Sequence, residues 1–364
     1  MRTAQTAVRM AAGNDMVTEY VSRREDDIDK EVIRRAGRIL REGGLVAFPT
    51  ETVYGLGGDA LQPASSRRIY AAKGRPSDNP LIVHICRWAD LPAIGSEIPQ
   101  GAEILARKFW PGPLTMIFPR SELVPSETTG GLDTVAVRFP KNRIALSLID
   151  AAGGYVAAPS ANRSGRPSPT LAQHCREDLD GRVEMIIDGG QVGIGLESTI
   201  IDLTQEKPMI LRPGFITQPM LEDLLGNVGV DRAIISPDSG QAPKAPGMKY
   251  RHYAPRGTLE ICEGTRQQVI DYINHKAQER HRAGDRTGVI CTDETAAMYC
   301  ADVIRSTGRR DDEKAAAREL FRILRDMDSE GVQYIWSESF EDGALGDAVM
   351  NRMMKAAGHK VTIL

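Results

Sequence analysis

Between Asp27 and Leu40 the apolar residues Ile28, Val32, Ala36, Ile39 and Leu40 share one helical face, which predicts a helix capped by Asp27 and stopped by Gly43-Gly44. Leu45–Phe48 then reads as a strand. Short apolar runs recur at 81–85, 116–118, 135–137, 155–158, 185–187, 199–203 and 209–211, alternating with helical patterns at 65–72, 102–109, 143–151 and 170–179. That rhythm predicts a mixed α/β sheet. After a helix ending near Leu225-Gly226, residues 238–247 are rich in proline and glycine and carry no core pattern, so they read as an interdomain linker. Beyond Pro255, strands at 259–262, 289–291, 334–336 and 360–363 alternate with helices at 266–282, 311–328 and 347–357, the rhythm of a second, smaller parallel sheet. The expected division is an extension over 1–21, a first domain over 22–219, a linker over 220–256 and a second domain over 257–364.

Length agrees with two domains: 364 residues exceed the roughly 100–200 of one. No apolar run approaches the roughly 18–20 residues that span a bilayer, so a soluble protein is expected. Five scattered cysteines without a C-x-x-C pair argue against a disulfide framework or zinc ribbon and fit a reducing cytoplasm. Residues 1–15 read as a disordered extension rather than a secretory signal. The net charge is −3, and residues 1–219 hold 26 basic and 26 acidic side chains, so no global basic excess supports broad polyphosphate binding. Any anion recognition is local.

The richest local candidate is Lys73–His84, where Lys73 and Arg75 flank a turn marked by Pro76 and Pro80, with Leu81–Val83 as the strand behind. A solvated basic turn is the plainer reading. Pro49–Gly57 places two threonines on a sharp turn after a strand, either near a ligand or capping their own backbone. Trp110–Thr115 reads as a rigid corner. In Thr134–Pro140, Arg138 shares a strand face with Thr134 and Ala136; its fork suits a carboxylate or phosphate, and an internal salt bridge is an equal alternative. Ala157–Ser168 opens from a buried strand into a loop bearing Ser160, Asn162, Ser164 and Ser168, and ligands sit at such strand ends. Glu197–Asp202 offers Ser198 at a strand entry, and Arg212 is held stiffly before Pro213. His174, His275, His281 and His359 read as solvated. No phosphate-loop, serine-elbow, zincin or paired-cysteine motif occurs, so positioning and charge stabilisation are expected to carry any reaction.

Taken in order, Pro49–Gly57, Lys73–His84, Trp110–Thr115, Arg138–Pro140, Ala158–Ser168, Glu197–Asp202, Leu211–Gly214 and Pro246–Pro255 resemble the YrdC family in its long, two-domain form. The resemblance implies a twisted mixed sheet with a ligand cavity and a smaller Rossmann-like parallel α/β domain. It also implies a nucleotidyl transfer in which L-threonine, bicarbonate and ATP give threonylcarbamoyl-AMP and pyrophosphate, the product passing to tRNA-modification machinery. By the same resemblance Thr52, His84, Arg138, Ala158 and Ser198 contact threonine. Arg75, Asn79, Thr134, Ser160, Ser168 and Arg212 hold ATP, and Asn162 neighbours either ligand. Lys73 and Arg75 act at the phosphates, Mg²⁺ accompanies ATP, and Tyr250, His252 and Tyr253 form a lid. No membrane association and no stable nucleic-acid complex are expected. The competing reading is an RNA-binding module, which the balanced charge and the lack of aromatic–basic interleaving oppose. Carbamoyl-adenylate chemistry of hydrogenase maturation is a third; it expects acylphosphatase and zinc-finger patterns that this sequence does not carry.

Overall fold

The computed structural model describes residues 16–22, 25–26, 28–231, 252–340, 343 and 345–364. The first sheet contains β1 (Glu19–Ser22), β2 (Val46–Phe48), β3 (Gly55–Asp59), β4 (Ile82–His84), β5 (Leu114–Pro119), β6 (Thr134–Arg138), β7 (Val156–Ala157), β8 (Met185–Asp188), β9 (Thr199–Asp202), β10 (Met209–Arg212) and β11 (Gly229–Val230). Its order is β1-β8-β2-β3-β7-β4-β6-β5-β9-β10-β11, with parallel and antiparallel neighbours mixed. β1 and β11 extend this sheet into the segments expected to flank the first domain.

The predicted first helix runs Lys30–Arg41, and its cap is Asp29 rather than Asp27, which lies outside the described residues. Asp29 accepts from the Glu31 and Val32 amides, satisfying donors that the first turn leaves open. The helix lays Val32, Ile33, Ala36 and Leu40 against the Arg143–Ala151 helix, whose Ile144, Ala145, Leu148 and Ile149 complete one core layer. A larger layer on Leu45, Tyr54, Leu56, Val83, Met116, Val137 and Ile201 covers the other face.

The second sheet holds β12 (Thr258–Glu263), β13 (Thr287–Cys291), β14 (Val303–Ser306), β15 (Tyr334–Glu338) and β16 (Val361–Ile363) in the order β14-β13-β15-β12-β16, all parallel. Alternation along β12 and β13 turns Ile261 and Ile290 toward the Glu313–Ser329 and Gly346–Ala356 helices, and Cys262, Val289 and Cys291 toward the Arg266–Arg282 helix. Among the described residues no helix is long and apolar enough to cross a membrane.

The two units share a core. Val53 and Leu196 from first-domain loops, with Tyr253, pack into the cluster built on Leu320, Phe321 and Met353. Gly195, at φ +84°, brings its backbone so near the Glu313–Ser329 helix that a Cβ there would sit 2.4 Å from the Arg318 Cα. Arg325 of that helix donates to the Pro167 carbonyl at 2.6 Å and to Asp178 at 2.8 Å, while Arg166 bridges Asp178 and Asp328.

Candidate functional site

A hollow of about 670 Å³, counting its open mouth, lies over the centre of the first sheet. Register builds its floor. β4 and β6 run parallel with His84 opposite Arg138, and β5 sets Thr115 opposite Arg138 on the other side. The Thr115 hydroxyl lies 2.7 Å from that of Ser198, which immediately precedes β9.

Arg138 is buried on three supports. Its guanidinium donates to the Thr52 hydroxyl at 2.8 Å, reaches the Gly112 carbonyl at 3.4 Å, and lies 2.7 Å from Glu51. The approach to Glu51 is an ion pair without an aligned hydrogen bond: both Glu51 oxygens and Arg138 Nη2 are buried with no hydrogen-bond partner. The internal salt bridge anticipated as an alternative for Arg138 is therefore present, and the guanidinium still lines the hollow. Burial, with Arg138 adding to it, lowers His84 to about 3, so its ring is neutral and donates from Nδ1 to the Ile82 carbonyl at 3.1 Å.

The second wall is the turn after the Pro63–Lys73 helix, which ends on Gly74 in the left-handed region. Lys73 is buried, and its ammonium donates to the carbonyls of Ser160 and Asn162; burial holds its pKa well below the ordinary lysine value. With the Ser164 amide on the Lys73 carbonyl at 2.9 Å, this one residue shapes the 160–164 loop. Arg75 folds back on its own turn, donating to the Asn79 side chain at 2.6 Å and the Pro80 carbonyl at 2.9 Å.

On the third wall Arg212 donates to the Ser198 carbonyl at 3.0 Å and hydroxyl at 3.2 Å. Burial lowers both Arg75 and Arg212 to about 10, leaving each cationic at neutral pH. Glu197 beside them is fully enclosed. Burial alone would raise its pKa, but Arg352, Arg212 and the Ser168 hydroxyl outweigh this and hold it below the ordinary carboxylate value. Tyr253 closes the wall at φ 64°, a backbone region costly for a non-glycine residue, with its ring 5.0 Å from Phe321 and its hydroxyl pushed up to about 12 by burial and by Glu197.

Lys73, Arg75, His84, Arg138, Ala158, Ser160, Asn162, Ser198, Arg212, His252 and Tyr253 thus come together on one surface. Thr52, Asn79 and Ser168 stand one layer behind it, bonded to Arg138, Arg75 and Glu197 respectively. Thr134 opens β6, on the pleat face of Arg138 but about 13 Å along the strand, and is not on the hollow's surface. Tyr250 lies outside the described residues. His174, expected in solvent, is buried instead and accepts from the Thr170 amide at 3.2 Å. Glu197 and Tyr54 on the same surface are not singled out by the sequence, whereas Thr50 and Ser164, which line it too, fall in the loops that the sequence marks as candidates.

Among the described residues no cluster of three or more His, Cys, Asp or Glu is arranged to hold a metal ion. Among the described residues that line the hollow Glu197 is the one carboxylate, and Arg352 and Ser168 already occupy it. These side chains do not fit a protein cage for Mg²⁺, an ion that commonly reaches such sites on substrate phosphates with its own waters.

Fold and hollow together define a two-domain α/β protein with a cationic, hydroxyl-lined cavity. The chain belongs to the Sua5, YciO and YrdC family: that family's model, described as telomere recombination, matches residues 38–214, and the model of the threonylcarbamoyl-AMP synthase C-terminal domain matches residues 216–358. It is 48% identical over 334 residues to threonylcarbamoyl-AMP synthase of Pyrococcus abyssi, covering 92% of this chain and 96% of that one. The Bacillus subtilis threonylcarbamoyl-AMP synthase is 47% identical, covering 90% and 94%. Among solved structures, P. abyssi Sua5 complexed with L-threonine superposes with a TM-score of 0.89 at 47% identity, covering 96% of this chain and all of that one. A histidine/tyrosine double-alanine variant of the same protein gives 0.90 at 46% identity, covering 96% and 98%.

Proposed function

We propose that this chain is a nucleotidyltransferase that converts L-threonine, bicarbonate and ATP into threonylcarbamoyl-AMP and pyrophosphate for tRNA modification. The observation that carries this reading is the convergence of Arg75, Arg138 and Arg212 with neutral His84 and small hydroxyls in one hollow, in a chain so similar over nearly its whole length to threonylcarbamoyl-AMP synthases.

In this reading Arg138 receives the threonine carboxylate, its charge shared with Glu51. The neutral His84 ring offers one acceptor nitrogen to the substrate's polar hydrogens. The proton lost by the threonine ammonium converts bicarbonate to carbon dioxide and water. The amine nitrogen then bonds to the carbon of carbon dioxide, one C=O electron pair moves onto oxygen and a second amine proton leaves to solvent, giving a carbamate. A carbamate oxygen then bonds to the α-phosphorus of ATP as the bond to the β-phosphate bridging oxygen breaks, and the electron pair leaves with pyrophosphate. Arg75 and Arg212 face the charge that grows on the phosphoryl oxygens. They are already desolvated, so little reorganisation is needed at the moment of reaction. Lys73 contributes by fixing the Ser160–Asn162 carbonyls, and Mg²⁺ enters as part of the nucleotide substrate. Tyr253 and His252 cover the hollow and limit hydrolysis of the carbamate and the adenylate.

The direct test is mass spectrometry of the product formed with ¹³C-bicarbonate. A threonylcarbamoyl-adenylate carrying one labelled carbon is expected; AMP with free threonine and no labelled adduct would refute the assignment.

A further inference from the structure

Arg352 lies in the second domain, in the middle of the Gly346–Ala356 helix, and is completely buried. Its Nε donates to Glu197 at 3.2 Å, and its Nη1 donates to the Pro213 carbonyl. These two partners belong to the two segments that hold Arg212. Glu197 adjoins Ser198, whose carbonyl and hydroxyl bind the Arg212 guanidinium, and Pro213 directly follows Arg212. The segments are pressed together at Gly214, where a Cβ would sit 2.6 Å from the Thr199 nitrogen. Glu197 in turn accepts from the Ser168 hydroxyl at 2.5 Å.

We infer that Arg352 is a positioning residue through which the second domain sets the nucleotide end of the cavity, holding Glu197 and Pro213 so that Arg212 and Ser168 keep their places. The second domain is then a working part of the catalytic wall. This rests on the reading of the hollow as an ATP site. A buried ion pair that only glued the domains together would affect stability without distinguishing one substrate from another.

The test uses full-length Arg352→Met and Arg352→Lys, with Ile273→Ala, a core truncation on the far face of the second domain, as the control. Arg352→Met is expected to raise KM for ATP about 10-fold or more while KM for threonine stays within about two-fold. Arg352→Lys recovers part of the loss, and Ile273→Ala lowers the melting temperature without moving either KM. Glu197→Gln reproduces the ATP effect, and the Glu197→Gln/Arg352→Met double variant is no worse than Arg352→Met alone. A wild-type KM for ATP in Arg352→Met, or an equal rise in Ile273→Ala, overturns the inference. If Arg352→Met does not fold, an unchanged KM for ATP in both Arg352→Lys and Glu197→Gln overturns it. Should the wild type release no pyrophosphate with all three substrates, the reaction assignment is what fails. ATP binding by calorimetry on the same variants then decides the role of Arg352: weaker binding supports it, and unchanged binding overturns it.

Discussion

His84 and Arg138 stand opposite each other on adjacent parallel strands, so a neutral imidazole and a buried guanidinium occupy neighbouring positions on the cavity floor. The arginine's charge adds to burial in keeping the histidine unprotonated. Three histidines share this state, His84, His174 and His252, all lowered to about 3 by burial first and nearby arginines second. In the unfolded chain each binds a proton as pH falls below about 6.5, whereas the folded protein does not until about 3. The unfolded state therefore gains protons, and stability present above pH 6.5 is lost as pH falls, by about 1.4 kcal/mol per pH unit for each histidine. Denaturation midpoints measured from pH 7 to pH 5 should fall. The slope should become shallower in a His84→Gln/His174→Gln variant, which leaves the contribution of His252 in place, and an unchanged slope would contradict the burial argument.

Arg75 and Arg138 should both be essential for pyrophosphate release but differ in what they do for the fold. Arg75 is largely buried and, among the described residues, bonded only to its own turn, so Arg75→Ala should cost about 1–2 kcal/mol of stability. Arg138→Ala strands the buried Glu51 carboxylate and should cost about 3–5 kcal/mol. The buried Glu51 contact is what separates the two variants. Urea denaturation of the two variants side by side checks the difference, and Arg138→Ala/Glu51→Gln should recover stability without recovering activity.

Lys73 carries a desolvated charge whose partners among the described residues are carbonyls rather than a carboxylate. Lys73→Met removes the cost of burying the ammonium while leaving two carbonyls unsatisfied, so the net change in stability should stay within about 2 kcal/mol. The 160–164 loop loses its anchor, and kcat/KM should fall by about 100-fold or more. Parallel melting and turnover measurements separate these effects; a variant that loses stability and activity in proportion would refute this role.

Gly195 tests the docking of the two domains. Alanine there meets both a φ of +84° and the Arg318 backbone, neither of which a side-chain rotation relieves. Gly195→Ala should destabilise the protein by about 2–4 kcal/mol and raise KM for ATP, because the displaced helix belongs to the domain that carries Arg352. Calorimetric melting with steady-state kinetics reads both changes.

Much of this architecture is legible in the chain, and what is hidden has physical reasons. The Arg266–Arg282 helix matches its periodicity from end to end, since its apolar face and its Thr265–Gln268 capping box are local features. β3 is hidden because Gly55-Leu-Gly-Gly-Asp reads as a turn. Its glycines serve packing instead: a Cβ on Gly57 would sit 2.9 Å from the Phe48 ring. The cavity's cations were visible as Pro- and Gly-punctuated loops, but their depth was not, so Thr52, Asn79 and Ser168 look the same in sequence as the residues in front of them. Arg352 reads as a surface arginine on a helix. The one signal that could have found it is its place among Val349, Met350, Met353 and Ala356, an apolar run where a lone cation needs a buried partner.

The central claim is that one hollow brings threonine, bicarbonate and ATP together. Pyrophosphate release from the purified full-length protein, with threonine and bicarbonate each omitted in turn, tests it most directly. Release that collapses when either is withheld is the expected result; release that continues from ATP alone, or none with all three present, would contradict it.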